Sequence, residues 1–186
     1  MLAAGFRWLA LGIESGSKHV RDGVEKGRFG SIDIVKTVKD IQSAGINVIG
    51  NYIFGLPDDT HASMQETLDL ALETNCEFAN FYCAMAYPGS KLYTMAIENG
   101  WALPDSWIGY SQHSYEALPL RTEALTSAEV LKFRDEAFHT YFTNPRYLDM
   151  VRKKFGEEVV VHLRDMTMIK LKRKLLSQPE LAANCA

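Results

Sequence analysis

One apolar segment, residues 48–54, constrains the fold of this 186-residue chain more than any other feature. It reads Val-Ile-Gly-Asn-Tyr-Ile-Phe and stops abruptly at Gly55-Leu56-Pro57, after which a helix is expected to begin. Such a segment is typical of a strand in a parallel α/β sheet that is covered on both faces. The sharp stop places Asn51, Ile53 and Gly55 near the carboxyl end of the strand, where α/β proteins bind ligands. The amide of Asn51 is then either a ligand-binding group or a satisfied core amide, and the segment leaves both open.

Strand and helix patterns alternate three times within the first hundred residues, with a repeat of roughly thirty residues. Strands are predicted at 6–13, 47–54 and 78–86, and Ser31 is the predicted cap of the helix that precedes the second strand. This alternation predicts right-handed crossovers and a parallel sheet, and hence an α/β fold.

The second part of the chain has a different pattern. Residues 101–125 predict a long ordered loop, and helices are predicted from 126, from 147 and over 157–176. Thr126 and Glu129 have the spacing of a capping box, which marks the start of the first of these helices. We therefore divide the chain into a sheet-forming region, 1–100, and a loop and helical extension, 101–186.

Composition excludes several classes of protein. The net charge of −3 and the 47% hydrophobic content are ordinary for a soluble globular protein, and the charge balance argues against a nucleic-acid partner. Neither a membrane-spanning run nor a signal-peptide pattern is present, so a cytoplasmic protein is expected. The three cysteines, Cys76, Cys83 and Cys185, are too widely spaced to form a cluster-binding or zinc-binding motif. No residue is assigned a catalytic or metal-binding role.

Polar groups are predicted to meet at the carboxyl edge of the sheet. Carboxylate and amide groups there suit the hydroxyls of a ribose, a nearby lysine suits a carboxylate or phosphate, and an apolar side chain with exposed backbone suits an adenine ring. The candidate ligand-binding residues are Glu14, Ser15, Lys26, Asn51, Ile53, Gly55, Ala86 and Tyr87. Each of them also has an ordinary structural explanation, as a helix cap, a turn or a solvated charge, so no single residue is specific. Together they predict a nucleoside site.

Several short motifs occur along the chain in the same order as in a known protein family. The motifs are Gly12-Ile13-Glu14-Ser15-Gly16-Ser17, Lys26-Gly27, Ala44-Gly45-Ile46, Gly55-Leu56-Pro57 with Thr60, and Tyr87-Pro88-Gly89-Ser90 with Leu92-Tyr93. This order resembles the radical S-adenosylmethionine superfamily, in particular the iron–sulfur oxidoreductases that often carry an amino-terminal cobalamin-binding domain. The resemblance implies that Glu14 and Asn51 hold the ribose, that Lys26 meets the carboxylate, and that Ile53 contacts the adenine.

The sequence lacks the Cys-x3-Cys-x2-Cys motif that holds the [4Fe-4S] cluster of that superfamily. The resemblance therefore implies the later half of a six-stranded (β/α) partial barrel, with additional C-terminal helices. It also implies a truncated oxidoreductase that keeps part of the S-adenosylmethionine site. Such a fragment cannot bind the cluster and is inactive alone. In the parent family cobalamin is a possible further cofactor.

Two alternatives remain open at this point: a nucleoside-binding or assembly module without catalysis, and an aldolase-like α/β enzyme that uses Lys26 as a Schiff base. A half barrel would leave a strand edge or an apolar face uncovered, from which we predict a homodimer.

Overall fold

The computed structural model describes residues 1–23 and 32–177. These residues form a three-stranded sheet, eight α-helices and two short 3-10 helices, Leu2–Ala4 and Trp107–Tyr110. The strands are β1 (Trp8–Glu14), β2 (Asn47–Phe54) and β3 (Phe78–Cys83). The helices are α1 (Lys18–Gly23), α2 (Ile34–Ser43), α3 (His61–Thr74), α4 (Lys91–Glu98), α5 (Ser127–Phe142), α6 (Pro145–Phe155), α7 (Glu157–Met168) and α8 (Lys174–Ser177).

The sheet is parallel, with strand order β1-β2-β3, which confirms the predicted α/β fold and parallel topology. β2 has the predicted bounds, whereas β3 ends at Cys83, before the predicted limit of 86. Just beyond it, the Ala84 N–H still donates to the Phe54 carbonyl, but the Ala84 carbonyl accepts from Leu120. The finer prediction, that the sheet is half of a barrel, stays a prediction.

The two faces of the sheet differ, because successive side chains of a strand point to opposite sides. Along β2 every second residue, from Val48 to Phe54, is buried, and the residues between them are half-buried. The buried side, which we call the core face, packs in one cluster with residues of α2, α3, α5 and α6. The opposite side is the open face, and Trp8 and Phe78 are exposed on it. The expectation that both faces are covered is therefore wrong for the described residues.

Helix starts follow local capping chemistry. At the start of α3 the side chain of Thr60 accepts from the Ser63 N–H. At the start of α5 Thr126 accepts from the Glu129 N–H, so the predicted capping box is confirmed. At α2 the cap is Asp33, because its side chain accepts from the Lys36 N–H. Ser31, the predicted cap, lies outside the described residues.

The predicted helix over 157–176 is interrupted. α7 ends at Met168, and α8 begins at Lys174. Between them Arg173 turns inward and donates to Asp135 and to the Ser114 carbonyl. A contact with residues so distant in the sequence outweighs the local helical pattern here.

The connection between α4 and α5 covers part of the outer edge of β3. The Gln112 side chain accepts from the Cys83 N–H at 2.9 Å and donates to the Cys83 carbonyl at 3.0 Å. Arg134 of α5 donates to the Phe81 carbonyl on the same edge. Within residues 1–23 and 32–177 no strand pairs with the outer edge of β1, and the homodimer stays a prediction. No described helix is both long and apolar enough to cross a membrane.

Candidate functional site

A row of amides crosses the open face near the carboxyl end of the sheet. Gly12, Asn51 and Asn80 lie opposite one another on the three strands. Asn80 Nδ2 donates to Asn51 Oδ1 at 2.9 Å, and Asn51 Nδ2 donates to the Leu11 carbonyl at 3.1 Å. Within the described residues these bonds leave one N–H on each amide, and Asn80 Oδ1, for another partner. Asn51 is thus bonded within the sheet and still able to meet a ligand.

Glu14 ends β1 in an unusual backbone conformation. The strand register shifts between Gly12 and Glu14, and the φ of Glu14 is +68°. Positive φ is uncommon for a residue other than glycine, and at a strand end it redirects the side chain. The next residue, Ser15, is fully buried, and its Oγ lies 3.1 Å from Thr67 Oγ1 and accepts from the Ser17 N–H. The Ser15 N–H donates to the Ile13 carbonyl and the Ser15 carbonyl accepts from Arg21 Nη1, so the backbone of Ser15 is also bonded within the protein.

Ile53 and Gly55 lie on and just after the last part of β2. Ile53, on the open face, packs beside a small buried cluster of Val20, Leu56 and Ala84. Gly55 has a φ of +78°, and a Cβ at this position would lie 2.5 Å from Val130 Cγ1. Ile53 offers an apolar surface, whereas Gly55 allows the turn and the close approach of α5.

Ala86 and Tyr87 follow β3. Ala86 is buried with Ala96 and Leu120, so its side chain belongs to the protein interior. The Tyr87 ring is exposed on one side and stacks on Tyr110, with ring centroids 5.7 Å apart. Lys26 lies outside the described residues. The structure therefore places Glu14 at the end of β1 and Asn51 and Ile53 on the second half of the neighbouring strand β2.

Sequence reasoning missed two sets of residues. The first is Asn80, whose place in the amide row depends on the strand register and is not visible from β3 alone. The second is a cluster of charged residues, Arg134, Asp135 and Arg173. Burial acts to raise the pKa of Asp135, but the hydrogen bonds and charges of both arginines hold that pKa below its usual range. The sequence does contain a signal for this cluster. Arg134 lies four residues after Val130, so it interrupts the apolar stripe of α5 with a charged residue.

The described residues contain no group of three or more His, Cys, Asp or Glu side chains that could hold a metal ion. Cys76 and Cys83 are free and buried. Burial raises the pKa of the Cys83 thiol to about 12, so this thiol is neutral at physiological pH. A neutral, buried thiol is neither a ready nucleophile nor a ready metal ligand.

Comparison with known proteins finds methyltransferases. The chain is 29% identical over 150 residues to an uncharacterized methyltransferase of Pyrococcus horikoshii, covering 80% of this chain and 31% of that protein. It is 26% identical over 157 residues to the bacteriochlorophyllide d C-8(2)-methyltransferase of Chlorobaculum tepidum, covering 80% and 35%. The C-12(1)-methyltransferase of the same organism is 26% identical over 90 residues, covering 48% and 20%. The chain thus spans about a third of the length of the first two relatives. No family model matches it.

These relatives correct the family and function that were predicted from the motifs. Their names describe methyltransferases, so the predicted radical S-adenosylmethionine oxidoreductase fragment is wrong. Neither the predicted parental [4Fe-4S] cluster nor cobalamin is supported by the relatives' names or by the described side chains. The physical reason for the error is that the matching motifs are turns and strand ends. Such segments shape a binding rim and do not specify the reaction carried out there.

Proposed function

We propose that this chain supplies the adenosyl-binding part of an S-adenosylmethionine-dependent methyltransferase. The amide row of Asn51 and Asn80 is the observation that carries the proposal. It lies on the open face, three residues before the ends of β2 and β3, and offers donors and an acceptor on the side of the edge where α/β sheets bind ligands. The names of the relatives support methyl transfer as the reaction of the whole protein. S-adenosylmethionine would supply a methyl group carried on a sulfonium.

The residues present fit the adenosyl group. In this proposal the second N–H of Asn80 and its Oδ1 meet the ribose hydroxyls, beside Asn51. Glu14, at the end of the adjacent strand, accepts from a ribose hydroxyl. Ile53 and the neighbouring cluster provide an apolar surface for the adenine ring, as nucleoside pockets require.

The remaining candidates have narrower roles in the proposal. Ala86, whose side chain is buried, contributes a backbone group, whereas Ser15 supports the rim through its bonds to Thr67 and Arg21. Gly55 keeps the chain close to α5, and the exposed Tyr87 ring borders the rim. Lys26 is retained as the partner of the ligand carboxylate.

Equilibrium dialysis with radiolabelled S-adenosylmethionine, S-adenosylhomocysteine and methionine tests this proposal on the full chain. We expect both adenosyl compounds to bind and methionine alone to bind far more weakly. Asn51→Ala should weaken binding about tenfold, as expected for the loss of a hydrogen-bonded polar contact.

Asn47→Ala is the matched control, because Asn47 lies on the same strand and the same face but at the opposite end. It should leave binding unchanged, and thermal unfolding would verify that both variants are folded. The proposal fails if neither adenosyl compound binds at millimolar concentration, or if the two variants weaken binding equally.

A further inference from the structure

A groove lies between the outer edge of β3, helix α5 and residues 166–176. Its cavity has a volume of about 580 Å³, which is within the range of small-molecule sites. We call it the edge groove. Most of its wall is apolar, and the lining includes Phe78, Tyr82, Phe138, Met166, Ile169 and Leu171.

Arg134 and Asp135 line the groove and form a charge cluster with Arg173 behind them, and this cluster has one positive charge in excess. Arg134 and Arg173 are only 4% and 3% exposed, and both donate to the single carboxylate of Asp135. The spare Nη1 of Arg173 donates to the Ser114 carbonyl, so this arginine is held within the protein. Burial and the two guanidinium groups lower the pKa of His113, which also lines the groove. His113 is therefore neutral at physiological pH and leaves the positive charge in place.

Arg134 is not fully used by its protein partners. Its Nε donates to the Phe81 carbonyl at 2.8 Å, and its Nη1 donates to Asp135 at 2.9 Å. Within the described part of the chain no hydrogen bond is made by Nη2, and Arg134 contributes to the groove wall. No buried polar side-chain atom of the described residues lacks a hydrogen-bond partner, so the unbonded Nη2 keeps contact with solvent at the groove, where an acceptor can meet it.

We propose that the edge groove binds a small amphipathic carboxylate, whose apolar body lies along the aromatic wall and whose carboxylate meets Arg134. The guanidinium fork matches a carboxylate in shape and charge. Phe138 lies beside this fork, with the guanidinium carbon 5.8 Å from its ring centroid, and so provides an aromatic surface next to the anion. The groove shares Asn80 with the amide row, but its preference for a carboxylate does not depend on S-adenosylmethionine binding.

Calorimetric titration with 4-phenylbutyrate and its uncharged amide, 4-phenylbutanamide, tests the proposal on the full chain. The two probes share an apolar body and differ at the group that would meet Arg134. We expect the acid to bind about tenfold more tightly than the amide, because only the acid forms a charge-assisted hydrogen bond with Arg134. Arg134→Gln should abolish this preference, and Arg134→Lys should restore part of it, because lysine keeps the charge and loses the fork.

Because Arg134 is buried, a second pair of variants keeps the test decisive even if Arg134→Gln fails to fold. Ile169→Glu places a carboxylate in the exposed part of the groove wall and should weaken binding of the acid more than binding of the amide. Ile108→Glu is the matched control, because Ile108 is also an exposed isoleucine but lies outside the groove, and it should change neither. Equal binding of acid and amide by the unmodified chain, binding of neither, or equal effects of the two glutamates would overturn the proposal.

Discussion

The two faces of the sheet use the same three strands for different purposes. On the core face the rings of Tyr52 and Phe54 stack on Phe81, with centroids 5.5 and 5.8 Å apart, and Tyr141 of α5 meets Phe81 edge-on. On the open face the corresponding positions carry Asn51 and Asn80, which are half-buried and bonded to each other.

This difference follows from the period of two along a strand, which sends neighbouring residues to opposite environments. The core face places most of its apolar area against helices, and this burial is the main source of folding free energy. The open face keeps amides that can exchange protein contacts for ligand contacts. Substitutions on the core face should therefore strongly lower the free energy of unfolding, and those on the open face should change binding at a smaller cost in stability.

The largest effect is expected from Phe81→Ala in β3. Phe81 is 2% exposed and contacts three aromatic rings, so its removal leaves a cavity as well as losing buried area. The free energy of unfolding should fall by about 3–5 kcal/mol. Urea denaturation followed by circular dichroism measures this change.

Phe78→Ala is the control for Phe81→Ala, because Phe78 is in the same strand on the open face and is 36% exposed. This substitution should lower the free energy of unfolding by only about 1–2 kcal/mol, because much of the surface of Phe78 is already hydrated. Equal losses for the two variants would contradict the distinction between the faces.

The next largest loss of stability is expected at Gly55, in the turn that follows β2. In Gly55→Ala the residue would keep a φ of +78° and its Cβ would press on Val130, so the free energy of unfolding should fall by about 2–3 kcal/mol. Gly89→Ala has a similar φ of +86° but no atom within 4 Å, and should cost about 1 kcal/mol. Urea denaturation of both variants separates crowding from backbone strain, and a Gly89→Ala loss as large as that of Gly55→Ala would exclude crowding as the cause.

Much of the fold could be predicted, because its signals are local. The bounds of β2 follow from an apolar run that ends in turn residues, and the start of α5 follows from two side chains that lie three residues apart in the chain. The break between α7 and α8 could not be predicted. It depends on Arg173 meeting Asp135, which lies 38 residues earlier in the sequence.

Less of the candidate site could be predicted. Glu14 and Asn51 were found because they interrupt or end apolar strands, which is a local signal. Asn80 was missed because its position opposite Asn51 depends on the register of two strands separated by a helix. The buried state of Ser15 depends on Thr67 of α3, a contact that no local pattern contains.

A smaller effect is expected on the open face itself. Asn80→Ala removes the donor to Asn51 Oδ1 and should lower the free energy of unfolding by about 1 kcal/mol, the usual net value of such a bond. A double-mutant cycle with Asn51→Ala should give a coupling energy of about 0.5–1.5 kcal/mol. A coupling energy of zero would mean that the amide row does not act as a unit.

The smallest effect concerns the pH dependence of stability, at His113 in the wall of the edge groove. Burial and the charges of Arg134 and Arg173 lower its pKa in the folded state, so the unfolded chain takes up this proton first as the pH falls. Stability should therefore decrease as the pH falls below the ordinary histidine value of about 6.5, and should level off below the lowered pKa. Thermal unfolding at a series of pH values should show a flatter profile for His113→Gln than for the unmodified chain. His162→Gln, on the exposed side of α7, controls for removal of a histidine. If both variants flatten the profile equally, His113 is not the source of the pH dependence, and burial and the neighbouring arginines do not lower its pKa in the folded protein.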